Sequence, residues 1–168
     1  MKTKNLVLTA LFIALSFVGA NVKVMGTIAF DSMPAFLGSL LLGPVYGGII
    51  GAMGHFLTAL TSGFPLSLPV HLITMGGMAV TMIAFGLVYK FLNRSNNLLA
   101  IILSTIVGVA INGPLTLLVL TPLLLPVMGK VGILGFLPIL SLIAGINALV
   151  ALVVYKLLPR SLKNYENR

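Results

Sequence analysis

The chain has 168 residues, 59% hydrophobic and 7% charged, with a mean hydropathy of +1.18. A soluble domain carries about 25% charged residues, so a water-soluble globular protein is excluded, and no stretch is polar enough to coat a separate soluble domain. The formal charge of +8 sits in short segments between apolar runs rather than in a basic patch interleaved with aromatics; it points to membrane orientation and not to nucleic acid.

The first twenty residues, MKTKNLVLTALFIALSFVGA, have the two lysines and apolar run of a signal peptide. The run is too long for one, at about 15–17 residues, and more apolar segments follow, so it reads as a retained helix over 5–22. A spanning helix needs about 20 apolar residues. Helix 2, over 32–42, is too short to span on its own; Asp31-Ser32-Met33-Pro34 opens it as a helix-start signal. Gly43-Pro44 turns the chain into helix 3, over 45–62. A Gly/Pro loop, SGFPLSLP, leads to helix 4 over 70–90, which ends on Lys90 and Arg94. Helix 5 covers 98–120, a loop with two prolines and two glycines covers 121–132, and helix 6 covers 133–157 before Pro159 and a basic tail.

The expected fold is therefore all-α and integral to the membrane, one domain over 1–168, with six transmembrane helices of which the second is short. An even count puts both termini on one side. That side carries Lys2, Lys4, Lys90, Arg94, Lys156, Arg160, Lys163 and Arg168; the other has Lys23 and Lys130. The positive-inside rule makes the first side cytoplasmic. It leaves three longer loops outside, 21–31, 62–69 and 121–132, which suits a site that captures a solute from outside.

Catalysis finds little to work with. The sequence has two acidic residues, Asp31 and Glu166, and no Cys, HExxH or P-loop pattern. A Ser/His/Asp set can be assembled only by free choice, without a GxSxG context. His55 and His71, on different helices, lack the short spacing of a structural metal site. The expectation is a protein that is not an enzyme and has no metal and no cofactor.

An ionisable group at membrane depth is a functional-site hypothesis by default. Asp31 reads as an N-cap of helix 2 or as a ligand contact. His55 shares a face with Thr58 and Ser62, at i, i+3 and i+7; it either touches ligand or hydrogen-bonds a backbone or Asp partner in the bundle. His71 heads a stripe with Met75, Met78 and Met82, which reads as ordinary packing or as an adaptable wall for an aromatic ligand. Asn112 shares a face with Thr105, Gly108 and Thr116 and cannot face lipid cheaply. For Asn147, nearer mid-membrane, hydrogen bonding between helices is the stronger reading. The candidate substrate-binding residues are thus Lys23, Asp31, His55, His71, Met75 and Asn112. With no arginine on the outer half, bidentate capture of phosphate or carboxylate is absent. That favours a neutral or weakly basic, partly aromatic molecule with hydroxyls. Gly47, Gly51 and Gly54, extended by Gly48, suit close helix packing, whereas Ala10 and Ala14 leave a flat face that another protein's helix could meet.

Six helices in this length, the Ala10-Leu11-Phe12-Ile13-Ala14 motif, and a short second helix running through Leu41-Leu42-Gly43-Pro44 into a Gly47/Gly51-rich third occur together. In these the chain resembles the substrate-binding (S) components of energy-coupling factor (ECF) vitamin transporters. SMPAFLGSLLLGP and GHFLTALTSGFPLSLPVH are most similar to the subgroup proposed to import α-ribazole, the benzimidazole nucleoside of cobalamin salvage. The resemblance implies a multi-pass subunit in the lipid bilayer that binds its vitamin from outside. It joins a transmembrane T subunit through Ala10 and Ala14, draws on two cytoplasmic ATPases, and topples to deliver its ligand. The family has no universal ligand pattern, so the six binding candidates rest on depth and face. Cobalamin, a pterin, a pyrimidine vitamin or biotin are alternative substrates, and an integral membrane enzyme is the alternative class.

Overall fold

The computed structural model describes residues 3–21, 23–24, 28–29 and 31–163, giving only the backbone for 23, 24, 28, 29 and 160. Helix α1 spans Thr3–Gly19. A short antiparallel ribbon follows, β1 Lys23–Val24 against β2 Ile28–Ala29. Then come α2 Met33–Leu41, α3 Pro44–Thr61, α4 Leu68–Leu92 and α5 Asn97–Ala110. A π-helical turn, Ile111–Leu115, carries α5 into α6, Thr116–Leu157, and α7 is the short Arg160–Lys163. The architecture is an all-α bundle with one small ribbon. Both α4 and the run from Asn97 to Leu157 are long and apolar enough to cross a bilayer.

The expected loop over 121–132 is not there. Helix α6 continues through Pro122 and Pro126 and breaks only at Gly129, whose φ of 65° and ψ of 177° suit glycine almost alone. Prolines are tolerated in apolar helices where neighbours re-satisfy the freed backbone groups, so two prolines did not end this one. Gly129 folds α6 back on itself. Gly113 lies against Ser141, and Lys156 Nζ donates to Asn97 Oδ1 at 2.5 Å, so the arm after Gly129 runs antiparallel to α5 and the first arm.

Nine-residue α2 is about 14 Å long at 1.5 Å per residue, less than half a hydrocarbon core of about 30 Å. It is buried from Pro34 to Ser39 and packs against α1, α3, α4 and α6. Phe36 on α2 meets Phe85 on α4 edge-on, with centroids 4.8 Å apart. Around this pair Ile50, Met82, Ala148 and Leu152 complete the larger core. A smaller core of Val70, Leu117, Leu120 and Leu124 lies toward Gly129.

The α3 glycines are what let these helices meet. A Cβ on Gly47 would overlap Ser39 of α2, and one on Gly54 would stand 2.6 Å from Ser16 Cβ of α1. Gly48 and Gly51 face α4 in the same way. By contrast Asn147 does not bridge helices as expected: its Nδ2 donates to Ile143 O of its own helix at 2.9 Å, and its buried Oδ1 has no partner among the described residues. An i−4 carbonyl of the same helix offers such a side chain a local acceptor.

Candidate functional site

A cavity of about 160 Å³ opens between α3, α4, the π-helical turn and both arms of α6. Its polar side is built from three titratable groups in series. Asp31 Oδ2 stands 3.5 Å from His55 Nδ1, His55 Nε2 stands 3.1 Å from His71 Nδ1, and His71 Nε2 stands 2.6 Å from the Pro65 carbonyl oxygen. Each position has a local cause. Asp31 is delivered by the start of α2, where the expected cap does not form: Ser32 is the N-cap residue and makes no side-chain cap bond, while Asp31 is buried and turned to His55. His55 sits one turn before Thr58 on α3, and both line the cavity with Ser62. His71 is in the first turn of α4. The loop before it holds Phe64, Leu66 and Ser67 at positive φ, which aims the Pro65 carbonyl back at the ring. Phe64 adds an edge contact to His71, centroids 6.0 Å apart.

The partners determine where protons sit. A carbonyl oxygen only accepts, so His71 Nε2 carries hydrogen and donates to Pro65. The His55–His71 contact needs one hydrogen between two ring nitrogens, which a neutral His71 Nδ1 accepts from His55 Nε2–H, while Asp31 stands at ion-pair range of His55.

Asn112 faces the same cavity from the π-helical turn. Pro114 causes that turn: it has no N–H, and its ring clashes with the carbonyl four residues back in a regular helix. The widened turn avoids the clash, and Thr116 Oγ1 donates to Ile111 O at 2.7 Å. Such bulges recur at functional sites. The Asn112 amide makes no hydrogen bond to any described residue, which leaves its donors and acceptor to the cavity. Opposite the polar side, Met78, Leu117, Leu120, Leu124, Phe136 and Leu140 form an apolar wall.

Of the six residues expected from sequence, the cavity brings together Asp31, His55, His71 and Asn112. Met75 is half-buried and outside the lining; Thr74 and Met78, nearer the centre of the His71 face, take its place. The side chain of Lys23 lies outside the described residues. None of the described lining residues is Lys or Arg. Sequence reading missed the α6 wall because it took 121–132 as a loop. The signal was present: Leu117, Leu120, Leu124 and Met128 keep the spacing of one helix face straight through the prolines.

Away from the cavity, Ala10 and Ala14 are exposed on α1, flanked by the exposed Leu6, Val7, Leu11 and Val18, while Thr9 and Ser16 point inward.

The comparisons with known proteins can be set beside this geometry. The family model for the substrate-specific component of ECF transporters matches residues 4–165. A solved structure of the S component of a bacterial ECF transporter shares the fold at a TM-score of 0.67, with 20% identity over the whole of both chains. No curated protein matches the sequence at a significant level. With nearly its full length matched by the family model, the chain belongs to the substrate-specific components of ECF transporters, non-catalytic subunits embedded in the membrane.

Proposed function

We propose that this subunit captures a neutral, hydroxylated aromatic molecule of vitamin type in the cavity under the 62–67 loop, and that α-ribazole is its substrate. The observation that carries this reading is the pairing of a polar series, Asp31–His55–His71, with the free amide of Asn112 over an apolar wall. The wall takes a flat aromatic bicycle, and the carboxyl, imidazoles and amide take hydroxyls and a ring nitrogen. The lack of a cation among the described lining residues disfavours biotin, whose carboxylate would want one. A cavity of about 160 Å³ suits a nucleoside or smaller molecule better than an intact corrinoid. The segments 32–44 and 54–71, which resemble the α-ribazole subgroup, support the same substrate.

In this reading both termini are cytoplasmic, by the positive-inside rule, and the cavity opens outward. Ala10 and Ala14 face the transmembrane T subunit, and two ATPases supply the energy. Mass spectrometry of the small molecule that co-purifies with the protein tests the assignment. Recovery of a benzimidazole nucleoside is expected; a pterin, a pyrimidine or a corrinoid in its place would reassign the substrate. His55→Ala and His71→Ala are each expected to lose the bound molecule.

A further inference from the structure

At the opposite end of the bundle, where α4 and α6 finish, lies a second cavity of about 220 Å³. Three cations line it, Lys90 and Arg94 from the end of α4 and Lys163 from α7. None of its described lining residues is acidic, and the sequence offers only Asp31, in the other cavity, and Glu166.

Two further features turn this from a basic surface into a site. The wall includes Gly43 and Pro44, the start of eighteen-residue α3, whose N-cap supplies no side-chain bond. The first N–H groups of a helix and its macrodipole favour an anion there. Tyr89, 5% exposed, also lines the cavity, and its hydroxyl makes no hydrogen bond to any described residue. The side chain is buried while its hydroxyl opens to the cavity, so the donor is available to a bound group. Its ring is fixed edge-on to Tyr155, and Lys163 Nζ lies 5.4 Å from the centre of the Tyr155 ring.

We propose that this cavity binds one phosphate group, with Arg94, Lys90 and Lys163 as counter-charges and the Tyr89 hydroxyl as a hydrogen-bond donor. Its depth favours the phosphodiester of an anionic phospholipid as the source. The cavity lies just where apolar α4 gives way to Asn93 and Arg94, the level of lipid headgroups. A soluble phosphate carries the same chemistry.

Native mass spectrometry of the full chain, released from micelles with added phosphatidylglycerol or phosphatidylcholine, tests this. One phosphatidylglycerol is expected to remain bound at concentrations where phosphatidylcholine does not. Each of Lys90→Gln, Arg94→Gln and Lys163→Gln should weaken retention about fivefold. Tyr89→Phe keeps the ring packing and should weaken it without lowering thermal stability. Lys4→Gln, a basic change outside the cavity, should leave it unchanged. Displacement of the lipid by millimolar inorganic phosphate would support the site with a soluble source; failure to displace would support the lipid. Equal retention of both lipids, or equal loss in Lys4→Gln and Arg94→Gln, would overturn the proposal.

Discussion

His55 Nε2 and His71 Nδ1 stand 3.1 Å apart although the residues are 16 positions apart and on different helices. The contact closes a series from Asp31 to the Pro65 carbonyl. Asp31→Ala removes the carboxyl end of that series and leaves the two rings in place. Retention of the co-purifying small molecule, read by mass spectrometry, is expected to fall in this variant. Unchanged retention would refute a role for the carboxyl in binding.

Replacing His71 by Phe keeps the ring volume but strands the Pro65 carbonyl and His55. A buried group left unsatisfied costs about 1–3 kcal/mol. That cost falls on the folded protein with or without ligand, so the thermal midpoint of the empty protein should drop, and an unchanged midpoint would refute the two contacts.

Gly54→Ala puts a methyl 2.6 Å from Ser16 Cβ. Overpacking of this kind costs about 1–3 kcal/mol. The thermal midpoint in detergent should drop, and Ser16→Gly in the same chain should recover most of the loss. Absence of recovery would mean that α1 and α3 are not in contact there.

Gly129 has open space around it, with nothing within 4 Å of where a Cβ would be. Any loss in Gly129→Ala is then backbone strain, about 1–3 kcal/mol. It should appear in thermal stability with ligand selectivity unchanged, because the glycine lines neither cavity.

Ala10→Trp and Ala14→Trp place bulk on an exposed face. Both should leave ligand binding and stability intact and abolish uptake in cells with the complete transporter. Equal loss of binding and uptake would speak against a docking face.

The sequence made some of this legible and hid the rest for physical reasons. Helices α1 to α4 could be read because apolar runs, helix-start residues and the Gly43-Pro44 turn agree with one another. His55, Thr58 and Ser62 could be placed on one cavity wall because helical periodicity fixes a face. The α5–α6 hairpin could not, since proline and glycine break helices in water yet persist in an apolar bundle. Only the backbone reveals that Gly129 is the break and that Pro122 and Pro126 are not. The π-helical turn under Asn112 is likewise a response to Pro114 within a continuous helix. Nor does spacing foretell that His55 and His71 bond to each other, because that depends on how closely the glycines let α3 approach α4.

The lack of Lys and Arg among the described residues that line the cavity has an electrical consequence. Moving one elementary charge through a membrane potential of 100 mV changes the free energy by about 2.3 kcal/mol. A wall without lysine or arginine brings no permanently positive side chain along if the subunit reorients with its cargo, so the membrane potential gains no hold on the site through such a group.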